Sequence, residues 1–258
     1  MIDVSDPHVG PPDLWIYEVA RGLRTRFTFD PRPDNSPVWS PDGTRVAFSS
    51  IRKGDFDLYI KSYTTPGEEE LLLQAEYDQV PMSWSPDGQY LAYCNRGVPG
   101  TGSDIWVLPL FGDRQPIRFL QTGFLEDGPQ FSPDGRWIAY VSNESGRQEV
   151  YVAPFPGPGW KLQISTVGGS KPRWRQDGRE IYYLAEENRI TAVGFGQKGS
   201  TFEVGAATPL FPIRTQRLGS VYLVSPDGQR FLVNTEFEEQ VSSPLTLVLN
   251  WTADLKKK

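Results

Sequence analysis

Three carboxylates recur at one spacing in this sequence. Asp34, Asp78 and Glu126 each stand three residues ahead of a proline, at Pro37, Pro81 and Pro129. Carboxylates gathered from separate segments can focus negative potential on a cation or a basic peptide. They can also divide acid and base duties on a sugar substrate. The same side chains cap turns by accepting hydrogen bonds from nearby backbone N–H groups, and the sequence leaves these duties side by side. Nucleophilic and metal chemistry finds less material. His8 is the only histidine and lies in a Pro/Gly-rich lead-in, so a Ser-His-Asp triad lacks a positioned base. No Gly-x-Ser-x-Gly elbow, His-Arg-Asp loop or Asp-Phe-Gly segment occurs. Cys94 stands alone, which excludes an intrachain disulfide and a cysteine-based zinc site, and it reads as a small buried hydrophobe. Gly194, Gly196 and Gly199 spell Gly-x-Gly-x-x-Gly. A dinucleotide site needs that motif between a strand and a helix. Here Thr201-Phe202-Glu203-Val204 follows and reads as strand, so an inter-strand loop is expected. No cofactor is implied.

The elements that would position these residues come from a longer repeat. Pro37-Val38-Trp39-Ser40-Pro41-Asp42-Gly43 returns as Trp84-Ser85-Pro86-Asp87-Gly88 and as Pro129-Gln130-Phe131-Ser132-Pro133-Asp134-Gly135. It returns again, altered, as Pro172-Arg173-Trp174-Arg175-Gln176-Asp177-Gly178, and finally as Val224-Ser225-Pro226-Asp227-Gly228. Ser-Pro-Asp-Gly fits a type I turn, with Pro at its fixed φ in the second place and Gly where φ turns positive. Alternating apolar residues follow each turn, so each copy is a strand, a tight turn and a second strand. Third strands follow at Asp57–Ile60, Asp104–Val107 and Glu149–Val152, and fourth strands at Glu70–Leu73, Ile117–Leu120 and Leu162–Ile164. Four short antiparallel strands in a unit of this period make a β-propeller blade. The expected fold is therefore all-β, a propeller of five to six four-stranded blades, with six the favoured count. Trp39, Trp84, Phe131 and Trp174 share one repeat position and read as core between blades. The motif aspartates read as turn stabilisers.

Composition agrees. Hydrophobic residues are 38% and charged residues 22% of 258, enough to build a core. The net charge of −6 argues against general nucleic-acid binding, which needs a basic footprint. No apolar run reaches the roughly 18 residues of a membrane helix, and the first residues lack the basic and apolar regions of a signal peptide. As written, the chain is expected in the cytoplasm. Arg173, Arg175 and Arg179 read as a solvated basic face, Pro154–Gly159 as a rigid connector, and Lys256–Lys258 as a solubilising tail.

The Pro-x-Trp-Ser-Pro-Asp-Gly repeat resembles the TolB-like, WD-repeat-like bacterial β-propellers over about residues 13–251, taken as one domain. Repeats lie near 36–74, 81–120, 129–165, 171–212 and 220–251. Residues 13–29 give half a blade, 1–12 a lead-in and 252–258 a basic tail. Pro244–Ala253, Tyr151–Gly157 and Leu108–Asp113 resemble the C-terminal propellers of eukaryotic-like serine/threonine kinases of bacteria. That resemblance implies a non-catalytic sensing module for a protein or peptide, with the kinase domain upstream and the propeller outside the inner membrane. Asp34, Asp78 and Glu126 would then ring the mouth of the propeller channel. Two rival readings stand beside it: a gating propeller of a prolyl oligopeptidase-type peptidase, and a propeller lyase or glycosidase using those carboxylates.

Overall fold

The Ser-Pro-Asp-Gly turns set the rhythm of the fold. In each of the five, the Gly N–H closes the turn on the carbonyl of the first residue at 2.8–2.9 Å, and Gly43 reaches a φ of 69°. In four of them the serine hydroxyl donates to the aspartate at 2.5–2.6 Å. The same hydroxyl accepts the N–H that opens the next strand, as in Ser40 to Arg45 at 2.9 Å. The fourth copy has Arg175 in place of serine and holds Asp177 with its guanidinium at 2.7 Å instead.

The computed structural model describes residues 2–4, 12–18, 20–65, 67–157, 159–198, 201–215, 221–235 and 245–248. Six antiparallel sheets follow one another along the chain. The first holds β1 (Ile2–Val4), β2 (Asp13–Glu18) and β3 (Leu23–Arg26). The second holds β4 (Asp34–Trp39), β5 (Arg45–Ser50), β6 (Asp57–Ser62) and β7 (Glu70–Leu73). The third holds β8 (Asp78–Trp84), β9 (Tyr90–Arg96), β10 (Ser103–Pro109) and β11 (Ile117–Leu120). The fourth holds β12 (Glu126–Phe131), β13 (Trp137–Ser142), β14 (Glu149–Pro154) and β15 (Leu162–Gln163). The fifth holds β16 (Ser170–Trp174), β17 (Glu180–Ala185), β18 (Arg189–Lys198) and β19 (Thr201–Pro212). The last holds β20 (Tyr222–Val224), β21 (Phe231–Asn234) and β22 (Leu245–Val248). A single 3-10 turn, Glu186–Asn188, is the only helical element among the described residues. Residues 2–4, within the expected lead-in, form a strand that pairs with β2. His8, Gly199 and Lys256–Lys258 lie outside the described residues.

The chain forms two compact units, Met1–Pro129 and Gln130–Lys258. In the first, Ala47, Leu58, Ile60 and Leu72 of the second sheet pack on Trp84, Leu91, Tyr93 and Leu108 of the third. The Trp84 indole N–H donates to the Val38 carbonyl on the preceding sheet at 3.2 Å. In the second unit the Trp174 indole does the same to Gln130 at 3.0 Å. These rings therefore join consecutive sheets, as their repeat position implied. Cys94 is fully buried.

The first strands carry a β-bulge at the proline. Register shifts fall between Asn35 and Val38, Pro81 and Ser83, and Ser170 and Arg173. Proline has no N–H to give the ladder, so a bulge suits it. Ser36 and Lys171 take a φ of 54° there, a left-handed conformation that costs a non-glycine residue about 1 kcal/mol.

Candidate functional site

Asp34, Asp78 and Glu126 open β4, β8 and β12, the same place in three successive sheets. Each carboxylate has structural work. Asp34 is fully buried and accepts both hydrogen bonds of the Arg52 Nη2 at 3.0 Å. Burial pushes its pKa up, against the pull of Ser50 and Arg52. Arg52 also pairs with Asp30 at 3.3 Å and with Glu69, and lies over the Tyr59 ring at 4.7 Å. Burial works to lower its pKa, and the Asp34 and Glu69 charges outweigh it and raise it. Asp78 is half-buried, and its Oδ1 accepts the Phe56 N–H at 3.1 Å. Glu126 is buried and accepts the Thr122 hydroxyl. Turn capping and charge pairing thus occupy the acidic row, with Asp78 its most accessible member.

A second acidic series does comparable work. Asp13, Asp57, Asp104 and Glu149 stand at the start of β2, β6, β10 and β14 and are buried. Asp57 accepts the Ala75 backbone N–H, Asp104 the Gln121 side-chain amide at 3.0 Å, and Glu149 the Gly168 N–H at 2.9 Å. Asp13 pairs with Arg26 at 2.7 Å. Each carboxylate therefore latches the end of its sheet's last strand or the segment leaving it. The signal was present as an acidic residue before each Leu-Trp, Leu-Tyr, Ile-Trp or Val-Tyr pair, and sequence reasoning did not use it.

The motif aspartates stabilise turns as expected. Hydrogen bonds from the Ser40 hydroxyl and the Thr44 N–H bring Asp42 down to about 2. The arginine cluster divides. Arg175 pairs with Asp177 at 2.7 Å and Glu180 at 3.0 Å, and Arg179 is exposed. Arg173 departs from the solvated face: it packs 6.0 Å over Tyr222, and burial lowers its pKa.

The second unit holds a cleft of about 710 Å³ between the fourth and fifth sheets, within the usual range for a ligand site of roughly 300–1,000 Å³. Trp137, Trp174, Phe195 and Phe202 line it, with Arg179 and Glu203 among its charged groups. Ring centroids are 4.7 Å apart for Trp137–Phe202 and 5.1 Å for Trp174–Phe195. Trp160 adds a further ring against Phe202 at 4.7 Å. The expected glycine loop is corrected here. Gly194 and Gly196 lie within β18, and Gly194 faces Gly205 so closely that a Cβ on Gly205 would sit 3.3 Å from the Gly194 nitrogen. The two glycines sit at a β-bulge, where the β18–β19 register shifts between Val193 and Phe195. The next element among the described residues is the strand β19 and not a helix, so the dinucleotide motif has no structural context. Among the described residues no three His, Cys, Asp or Glu side chains converge to hold a metal.

The comparisons with known proteins agree with this architecture. Residues 30–204 match the model of the TolB beta propeller domain. The chain belongs to that family. This TolB-type propeller is 27% identical over 165 residues to the uncharacterized peptidase YuxL of Bacillus subtilis (strain 168), covering 51% of this chain and 25% of that protein. It is 27% identical over 194 residues to the uncharacterized protein Atu1656 of Agrobacterium fabrum, covering 69% and 64%. Superposition on TolB from Acinetobacter baumannii gives a TM-score of 0.74 at 21% identity, over 96% of this chain and 60% of that one. The chain thus spans from a quarter to just under two-thirds of these proteins. The shared fold makes each sheet a blade, in an all-β propeller of about six. No helix among the described residues is long and apolar enough to cross a membrane.

Proposed function

We propose that this propeller is a non-catalytic binding module for a protein or peptide, carried within a longer protein. One observation supports the reading above the others. The repeat is kept where it holds the fold and broken at β18–β19, where the departure opens an aromatic cleft. Repeat positions serve stability, and a departure that sets the half-buried Phe202 of β19 against Trp137 and Trp160 needs another purpose. Rigid aromatic side chains suit recognition, since they offer large contact area with few rotatable bonds. The carboxylates that a lyase or glycosidase would need are tied to Arg52, Thr122 and the Phe56 N–H.

The kinase-type resemblance at Pro244–Ala253 makes the sensor region of a receptor-type kinase our reading of the parent protein. Such a parent would place the propeller outside the inner membrane. The identity to YuxL supports a second reading, in which the propeller screens entry to a peptidase domain. Immunocapture of the native protein, with intact mass and peptide mapping, separates them. Kinase peptides in the same polypeptide support the first reading and hydrolase peptides the second. Fractionation with the same antibody reads the compartment. A co-captured partner that survives stringent washing supports a binding module. Turnover of peptides or oligosaccharides by the isolated chain, lost in Asp78→Asn, would refute the non-catalytic reading.

A further inference from the structure

The outer strand of the fifth sheet differs from its counterparts. β7, β11 and β15 are 4, 4 and 2 residues long, whereas β19 has 12. It is the last strand in its sheet order, so one side of its backbone has no strand partner among the described residues. Residues 203–209 are exposed along it and read Glu-Val-Gly-Ala-Ala-Thr-Pro. Natural proteins shield edge strands with charge, shortness or bulges. Here one carboxylate and one proline stand over a long row of small residues.

The register says which groups face outward. The Phe195 N–H donates to the Arg179 carbonyl at 2.8 Å, away from β19, and Phe195 pairs across the hairpin with Val204. In antiparallel geometry that makes a non-hydrogen-bonded pair, so Val204 turns its own N–H and C=O to the open edge. Phe202 is two residues away, shares that orientation, and lines the aromatic cleft.

We propose that β19 receives an extended peptide segment of a partner as a fifth strand, with alternate apolar side chains entering the cleft at Phe202 and Trp174. This deepens the binding-module reading and rests on it. Main-chain hydrogen bonds to the Val204 edge would give affinity, and the cleft would select the side chains. The packing of the rings favours a peptide over a sugar. Trp137 meets Phe202 at 76° and Trp174 meets Phe195 at 81°, which leaves notches for side chains in place of one flat stacking face. Glu203 has no ion pair among the described residues. A basic residue opposite it completes a favourable cross-strand pair.

The test selects binders from a displayed random heptapeptide library on the immobilised chain, then measures the synthetic peptides by Trp fluorescence. We expect alternating apolar residues with a Lys or Arg between them. Val204→Pro removes the outward N–H while also fixing φ and replacing the valine side chain, and Phe202→Ala opens the cleft; each should weaken binding about tenfold or more. N-methylation of the peptide should abolish binding at alternate positions and leave the intervening ones within about twofold. Thermal melts confirm that the variants fold, and either variant alone decides the matter if the other does not. Peptides that bind both variants as well as the parent and tolerate every N-methylation would overturn strand addition while leaving the binding module intact. No peptide enriched over the Val204→Pro chain would also overturn it, and the immunocapture result would then judge the broader reading separately.

Discussion

Arg52→Met removes the charge that faces Asp34 and keeps most of the side-chain stem. Asp34 has no exposed surface, and Arg52 is 15% exposed. Deleting one partner leaves the other as an uncompensated buried charge, at about 3–5 kcal/mol near neutral pH. The lost contacts to Asp30 and Glu69 add under about 1 kcal/mol each, because both carboxylates keep some solvent. At roughly 2–4 °C per kcal/mol the melting temperature should fall by about 6–28 °C. The loss should depend on pH. The Asp34 carboxyl already lies above its ordinary 3.8 because of burial. In the window just above that value the folded state binds more protons than the unfolded one, so this group's contribution weakens as pH rises. Without Arg52 the folded pKa moves higher and the window widens. The deficit of Arg52→Met should therefore be smaller at about pH 4.5 than at about pH 7. Asp34→Asn combined with Arg52→Met should recover part of the loss, since the two sites share one interaction. Equal deficits at the two pH values, or a loss under about 1 kcal/mol, would refute the argument, read by thermal unfolding followed by Trp fluorescence.

Four further outcomes are expected. Gly169→Ala should cost about 1–3 kcal/mol, because its Cβ would sit 2.9 Å from the Ser165 Cβ and displace the hydroxyl that serves Glu149 and the Val150 N–H. Gly43→Ala, which meets open space at a φ of 69°, should cost about 1 kcal/mol from backbone strain alone, and urea titration ranks the two. Cys94 should resist Ellman's reagent until the protein unfolds, because burial, then the Asp127 charge, raises its thiol well above the ordinary range; stoichiometric labelling of the native protein would contradict this. Asp78→Asn keeps the acceptor for the Phe56 N–H, so stability should change by under about 1 kcal/mol, while affinity for pentalysine should drop about threefold or more at low salt if the acidic row attracts cations; calorimetry showing unchanged affinity would remove that role.

The fold was legible in the sequence because turn chemistry is local. Ser, Pro, Asp and Gly at fixed places dictate the turn regardless of distant residues, and the strands on either side follow. Even the altered Arg175 copy preserved its hairpin. The fourth strands Glu70–Leu73 and Ile117–Leu120 were read with their observed bounds. What escaped was long-range. Nothing near Ile2–Val4 signals a strand, since its pairing with β2 bridges a gap of eight residues. Gly194 and Gly205 look like loop residues singly, and only the strand pairing shows that they sit at a β-bulge within one hairpin. The carboxylates of Asp34 and Glu126 suggested a ligand because sequence shows charge and hides the partner. Arg52 lies 18 residues from Asp34, and no local pattern joins them.

The indole–carbonyl ties from Trp84 to Val38 and from Trp174 to Gln130 have a mechanical consequence. Each bond joins one sheet to the sheet just before it, as rivets join successive plates. A chain built this way yields plate by plate under tension. In an optical trap, Met1–Pro129 should lengthen in steps of one repeat. The turn aspartates Asp42 and Asp87 stand 45 residues apart, and at about 3.5 Å per residue each step releases roughly 160 Å of chain.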